Sequence, residues 1–171
     1  MPEWTQADLG ILAARGVSVP IYPTSTLEQL RYIVKDAGIK LLFVGEQAQF
    51  DQALLLLKSG EINQIVTLDG TVDLRGCEQA SHFQTFLVSG NHQPSEQALR
   101  EREQHYRMDD LLTLIYTSGT TARPKGVMLT HRNVYINAYN FIAHLRVRHE
   151  DIELWTLPMF HCHGWRFPWT L

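Results

Sequence analysis

The sequence predicts an α/β protein, with a mainly parallel sheet and helices on both faces. Short apolar runs alternate with stretches whose apolar residues recur at helical spacing. A strand–helix–strand–helix–strand order of this kind is what parallel strands joined by crossover helices require. The composition agrees: 171 residues, 44% hydrophobic and 19% charged, make one domain's length with material for a core, and exclude a disordered tail or a fibre.

Trp4–Ala14 reads as a short helix ending near Gly16. Val17–Tyr22 is rich in β-branched residues and stops at Pro23, as a strand does. Ser25-Thr26-Leu27-Glu28 has the form of a capping box, with Ser25 as N-cap and Glu28 at the third helical position. The helix it opens places Leu27, Leu30, Ile33, Val34 and Ala37 at helical spacing, and Gly38 ends it. Lys40–Val44 suits a buried parallel strand, Gln47–Lys58 a helix with Phe50, Leu54 and Leu57 on one stripe, and Ile62–Leu68 the next strand. Asp69–Asn91 is less regular, with one short helix expected around Phe83–Val88. Ser95–Tyr106 is a polar, Glu- and Arg-rich helix with a solvated face. Leu111–Tyr116 is the most apolar strand candidate, followed by a strand at Lys125–Leu129 and a helix at Thr130–Leu145. The inner face of that helix is expected at Val134, Ala138, Phe141 and Leu145. Leu154–Met159 is strand-like, and Phe160–Leu171 is aromatic.

Composition also bounds function. Fifteen Lys and Arg against eighteen Asp and Glu give a net charge of −3, so no basic excess points to nucleic acid. The longest aliphatic run, Ala53–Leu57, is far shorter than the roughly 20 residues that span a bilayer, so no transmembrane segment is expected. The N-terminus lacks the basic-then-apolar order of a secretory signal. Two cysteines, Cys77 and Cys162, are too few for a disulfide framework. A cytoplasmic location is the expectation, with a peripheral position at a membrane as its variant.

The stretch that carries chemistry is Leu111–Val127, LLTLIYTSGTTARPKGV. An apolar strand runs into small and hydroxylated residues, Thr117, Ser118, Gly119, Thr120, Thr121 and Ala122, and then into Arg123, Pro124, Lys125 and Gly126. Small residues let backbone N–H groups turn inward into an anion nest. The hydroxyls of Thr117, Ser118, Thr120 and Thr121 add donors for phosphate oxygens, and Lys125 supplies a compact positive charge. The Walker A spacing is excluded because Pro124 stands where it needs glycine. From composition alone, a Ser/Thr-rich turn linking two strands remains the alternative.

TSGTTARPKG after an apolar strand resembles the phosphate-loop motif of the AMP-forming acyl-activating enzymes. The segment from Glu3 to Gln47 resembles the early sheet-and-helix region of long-chain fatty-acid–CoA ligases, and LPMFHCHGW at Leu157–Trp165 resembles the later acyl-pocket motif of the same family. All three occur in the family's order and span essentially the whole chain. The resemblance implies ATP-dependent activation of a fatty or other carboxylic acid in two steps. The carboxylate attacks the α-phosphate of ATP, giving acyl-adenylate and pyrophosphate, and the thiol of coenzyme A then displaces AMP. Mg²⁺ is implied with the nucleotide. Chemistry of this type depends on positioning and charge stabilisation more than on a covalent nucleophile.

By the same resemblance, Thr117, Ser118, Gly119, Thr120, Thr121 and Lys125 hold the β- and γ-phosphates, and His161 lies between acyl pocket and nucleotide. Residues 1–171 are expected to be part of the AMP-binding N-terminal domain. Within it, 1–70 form the early βαβ region, 71–108 a variable connection, and 109–171 the phosphate loop and acyl-pocket region. The family's adenine, ribose and hinge motifs and its C-terminal domain are expected to lie outside the chain, leaving the isolated chain weakly active or inactive. The alternatives are a non-catalytic nucleotide-binding fragment and an interaction module whose sheet a partner chain completes. Ala122 departs from the family's glycine, which permits positive φ.

His161-Cys162-His163 has the wrong spacing for a helical ligand pair and no second cluster to complete four ligands, so no metal site is expected there. Asp109 and Asp110 read as a solvated turn rather than an acid/base pair, and Trp165 and Trp169 as core or pocket wall. Acyl chain length is left open: the early segment resembles long-chain ligases, and the late motif those of short and medium acids.

Overall fold

A computed structural model describes residues 2–90, 96–117, 123–146 and 148–152. The chain divides into two compact units, one of Met1–Gly16 and Pro23–His105, the other of Val17–Tyr22 and Tyr106–Leu171.

The first unit begins with α1 (Pro2–Ala13) and α2 (Leu27–Ala37) and continues through β1 (Leu41–Val44), α3 (Gln47–Lys58), β2 (Gln64–Thr67), β3 (Ala80–His82), α4 (Phe83–Gly90) and α5 (Glu96–Glu103). Its sheet is parallel in the order β1-β2-β3, with Leu42 opposite Ile65, Phe43 opposite Val66, and Val66 opposite Ser81. The predicted α/β class and parallel early sheet are therefore present. Side chains alternate across each strand. One face sets Leu41, Phe43, Val66 and Leu68 against Trp4 and Ala7 of α1 and Phe83 and Phe86 of α4. Phe43 meets both phenylalanines edge to face, at centroid distances of 6.3 and 5.9 Å. The opposite face carries Leu42, Val44 and Ile65, all buried, and α3 packs on β1 and β2 with Phe50, Ala53 and Leu56 buried.

Local details correct the sequence reading. The cap of α2 is Thr26, not Ser25: its side chain accepts from the Gln29 N–H, and the Gln29 side chain accepts from the Thr26 N–H at 3.0 Å. Ser25-Glu28 and Thr26-Gln29 fit the box equally well on paper, and only the backbone selects the second. At the other end, Gly38 adopts φ 67°, a left-handed turn that glycine enters without Cβ strain. In α3 the buried stripe is Phe50, Ala53 and Leu56, while Leu54 and Leu57 are half-buried. β3 was not expected. The connection around it is pinned: the Gln47 side chain bonds both backbone groups of Asp73, and Arg75 pairs with Asp51 at 2.9 Å. Thr67, fully buried, meets Nδ1 of His82 at 2.8 Å across the β2–β3 register.

The second unit contains β4 (Leu111–Thr117), β5 (Lys125–Thr130) and α6 (His131–Leu145). β4 and β5 form a separate antiparallel pair. The strand expected over Val17–Tyr22 reduces to one bridge, Ser18 beside Thr113. Pro20 and Pro23 lack the N–H that a longer ladder needs. Val134, Ala138 and Phe141 of α6 are half-buried, but Leu145, assigned to the inner face, is exposed. Leu154–Met159 and Phe160–Leu171 lie outside the described residues.

Candidate phosphate-binding site

The motif stretch folds as a hairpin. The register runs Ile115 opposite Val127, Tyr116 opposite Gly126, and Thr117 opposite Lys125, so Thr117 and Lys125 are the last pair before the motif's connecting segment. Directly opposed residues of an antiparallel pair place their side chains on the same face, with Cβ atoms roughly 5 Å apart. Thr117 and Lys125 are thus neighbours across the mouth of the loop, and both are exposed. A hydroxyl and an ammonium presented side by side on a solvated face suit an anion with several oxygens.

The opposite face of the hairpin is anchored. Tyr116 is 5% exposed, and a Cβ built on Gly126 would come within 3.1 Å of its Cζ and 3.3 Å of its hydroxyl oxygen. Further down β4, Leu112 is an extra residue between the pairs Leu111–Thr130 and Thr113–Leu129, a β-bulge that leaves Leu112 and Thr113 both buried. Ser18 locks that bulge: its N–H donates to Leu112 O at 3.1 Å, and its carbonyl accepts from Leu114 N–H at 3.0 Å and from the Thr113 hydroxyl at 2.8 Å. β5 leads directly into α6 through Thr130, the N-cap, whose box partner is Asn133. Asp109 and Arg132 form a two-armed ion pair, Nε to Oδ1 at 2.7 Å and Nη2 to Oδ2 at 3.1 Å. The hydrogen bond from Arg132, followed by its charge, holds the Asp109 carboxyl below the usual value. Asp109 is therefore a structural partner of α6 and not half of an acid/base pair.

Of the residues assigned from sequence, Thr117 and Lys125 are brought together. Ser118, Gly119, Thr120, Thr121 and Ala122 lie outside the described residues, as does His161. The sequence reading missed the pairing of Tyr116 with Gly126. An aromatic before the loop and a glycine after it are visible in the sequence, but only the strand register shows that they face each other. Among the described residues no group of three or more His, Cys, Asp or Glu is placed to hold a metal ion. No helix among the described residues is long and apolar enough to cross a membrane.

The family profile described as AMP-binding enzyme matches residues 1–171. The chain belongs to the AMP-binding enzyme family. It is similar to 4-hydroxybutyrate–CoA ligase 2 of Metallosphaera sedula, 31% identical over 99% of this chain and 30% of that protein. It is also similar to a peroxisomal butyrate–CoA ligase of Arabidopsis thaliana, 32% identical over 100% of this chain and 31% of that protein. Among solved structures, a putative long-chain-fatty-acid CoA ligase from Rhodopseudomonas palustris superposes with TM-score 0.77 at 16% identity, over 99% of this chain and 39% of that one. That likeness shows the same α/β fold. This chain spans about 30% of the length of the curated relatives it matches.

Proposed function

We propose that the β4–β5 hairpin is the polyphosphate cradle of an AMP-forming acid–CoA ligase, and that residues 1–171 are part of that enzyme's N-terminal domain. The observation that carries the reading is the cross-strand placement of Thr117 beside Lys125 at the mouth of a loop built from TSGTTARPKG. Thr117 donates its hydroxyl, and Lys125 its charge, to the β- and γ-phosphates of ATP. Ser118, Gly119, Thr120 and Thr121 are assigned to complete the cradle with backbone and side-chain donors, and His161 is assigned the gating role between acyl pocket and nucleotide.

In this reading a carboxylate oxygen of the acid bonds to the α-phosphorus of ATP, and the bond from that phosphorus to the bridging oxygen breaks. Pyrophosphate leaves with the electron pair, and Lys125 stabilises the charge it gathers. The thiol of coenzyme A then attacks the acyl carbon, AMP departs, and a thioester and a proton result. Mg²⁺ enters with the phosphates as a charge partner and is assigned no ligand from this chain. The names of the two curated relatives favour a short aliphatic acid; the long-chain resemblance of the early segment favours a longer one. A fatty acid covers both.

The test is pyrophosphate titration of the 171-residue chain, followed by NMR shift mapping. Binding is expected to be weak, on the order of millimolar, or about −4 kcal/mol. Lys125→Ala weakens it, added salt weakens it, and adenosine alone shifts nothing in the hairpin. Adenosine binding as well as ATP, or a Lys125→Ala chain that binds pyrophosphate unchanged, overturns the assignment.

A further inference from the structure

We infer that Tyr116 and Gly126 form a positioning pair that holds Thr117 beside Lys125, and that Gly126 is glycine because the Tyr116 ring occupies the space of its missing Cβ. The claim rests on the phosphate-cradle reading for its consequence and on the hairpin alone for its geometry. Gly126 does not adopt a positive φ, so its need is for room and not for a special torsion. A Cβ there would stand 3.1 Å from Tyr116 Cζ and 3.5 Å from Cε1. These are ring atoms of a side chain that is 5% exposed and set in a strand fixed on its other edge by Ser18, so the ring has little freedom to yield. An aromatic laid across a strand glycine supplies the cross-strand contact that glycine cannot make for itself.

The two residues sit one position inside the mouth of the loop. Each is covalently next to one of the pair that faces phosphate: Tyr116 precedes Thr117, and Gly126 follows Lys125. A side chain at 126 would therefore push β5 away from β4 where the Thr117 hydroxyl and the Lys125 ammonium must converge. Tyr116 touches no phosphate in this scheme. It acts through the register it enforces.

Four variants of the 171-residue chain test this: Gly126→Ala, Tyr116→Leu, Tyr116→Phe, and the double variant Gly126→Ala with Tyr116→Leu. Two readouts are taken, pyrophosphate affinity and amide hydrogen-exchange protection of the β4–β5 hairpin without ligand. Gly126→Ala is expected to weaken pyrophosphate binding by about tenfold, a change of about 1.4 kcal/mol. It should also lower hairpin protection, while protection of β1 and β2 is unchanged. Tyr116→Leu loses both readouts in part, and Tyr116→Phe, which keeps the ring carbons nearest Gly126, restores them. The double variant recovers protection relative to Gly126→Ala, because removing the ring makes room for the methyl group; such non-additivity marks direct coupling. Gly126→Ala with full protection and full affinity overturns the inference, as does a double variant in which the two losses simply add. If no chain binds pyrophosphate, the phosphate-cradle reading falls. The positioning pair is then still judged by the exchange pattern of Gly126→Ala and the double variant.

Discussion

The two units dispose of their apolar surface differently. In the first, Phe50, Ala53, Leu56, Ile65 and Val66 are fully buried between a three-stranded parallel sheet and the helices packed on it. In the second, the described residues of α6 include none that is buried, and Tyr135, Tyr139 and Met128 are 62%, 64% and 71% exposed. Parallel strands come with crossover helices, so a βαβ unit closes its own core through short-range connections. A two-stranded antiparallel hairpin has no such built-in cover and is marginal alone. The unit with the self-contained core has no proposed chemistry, and the unit with the open hairpin carries the residues proposed to hold phosphate.

The largest expected effect tests that contrast directly. Phe50→Ala removes a ring that is 0% exposed and leaves a cavity, with an expected loss of about 3–5 kcal/mol. Met128→Thr, at a position of β5 that is 71% exposed, should change stability by less than about 0.5 kcal/mol. Chemical denaturation of both variants measures the difference; equal losses would show that Met128 is packed and that the contrast between the units is false.

This contrast also explains what the sequence made legible. Helices α2 and α3 and strands β1 and β2 repeat their apolar residues at their own periods, so they are visible locally and fall within a few residues of expectation. β3 is invisible because Ala80, Ser81 and His82 carry no strand pattern; they form a strand only because β2 lies beside them. Val17–Tyr22 errs in the other direction, with β-branched residues but a proline inside it, another right after it, and a single bridge. Within the candidate site, residue types were readable and register was not. Nothing in TSGTTARPKG alone places Thr117 opposite Lys125, or Tyr116 across Gly126.

The units share one device, which sharpens the comparison at a smaller scale. Thr26 caps α2 and Thr130 caps α6, each with a side-chain partner at the third helical position. Replacing either threonine by alanine should cost about 1 kcal/mol, since each loses a side-chain acceptor for an orphan N–H. The consequence should differ by place. Thr26→Ala should lower the denaturation midpoint and leave pyrophosphate affinity alone. Thr130→Ala, at the end of β5, should lower the midpoint and loosen the hairpin as well, seen as faster amide exchange in β4 and β5. Identical exchange patterns would show that α6 does not brace the hairpin.

The smallest effect separates two ion pairs, one from each unit. Glu61 is held below the usual carboxylate value chiefly by the Ser59 hydroxyl, 2.6 Å away, and then by Arg31; Asp109 is held below it by Arg132. A carboxyl whose folded-state pKa is lowered stabilises the fold while ionised. Its contribution is complete above its ordinary value, about 4, and disappears as pH falls through the lower folded-state value. Asp109→Asn and Glu61→Gln should therefore lower the thermal midpoint at pH 7 and lose that effect as pH falls through the lowered folded-state values, where the parent carboxyls become neutral too. Salt should part them. The Asp109 side chain is 75% exposed and its support is an ion pair, which about 1 M salt screens over a few ångströms. The Glu61 side chain is 25% exposed, and its first support is a hydroxyl hydrogen bond, which salt leaves in place. Thermal midpoints from pH 2 to 7 at low and high salt measure both. The expected outcome is an Asp109→Asn effect that vanishes in salt beside a Glu61→Gln effect that persists. The reverse would mean that Asp109 is shielded from solvent and that the open face of the second unit begins beyond it.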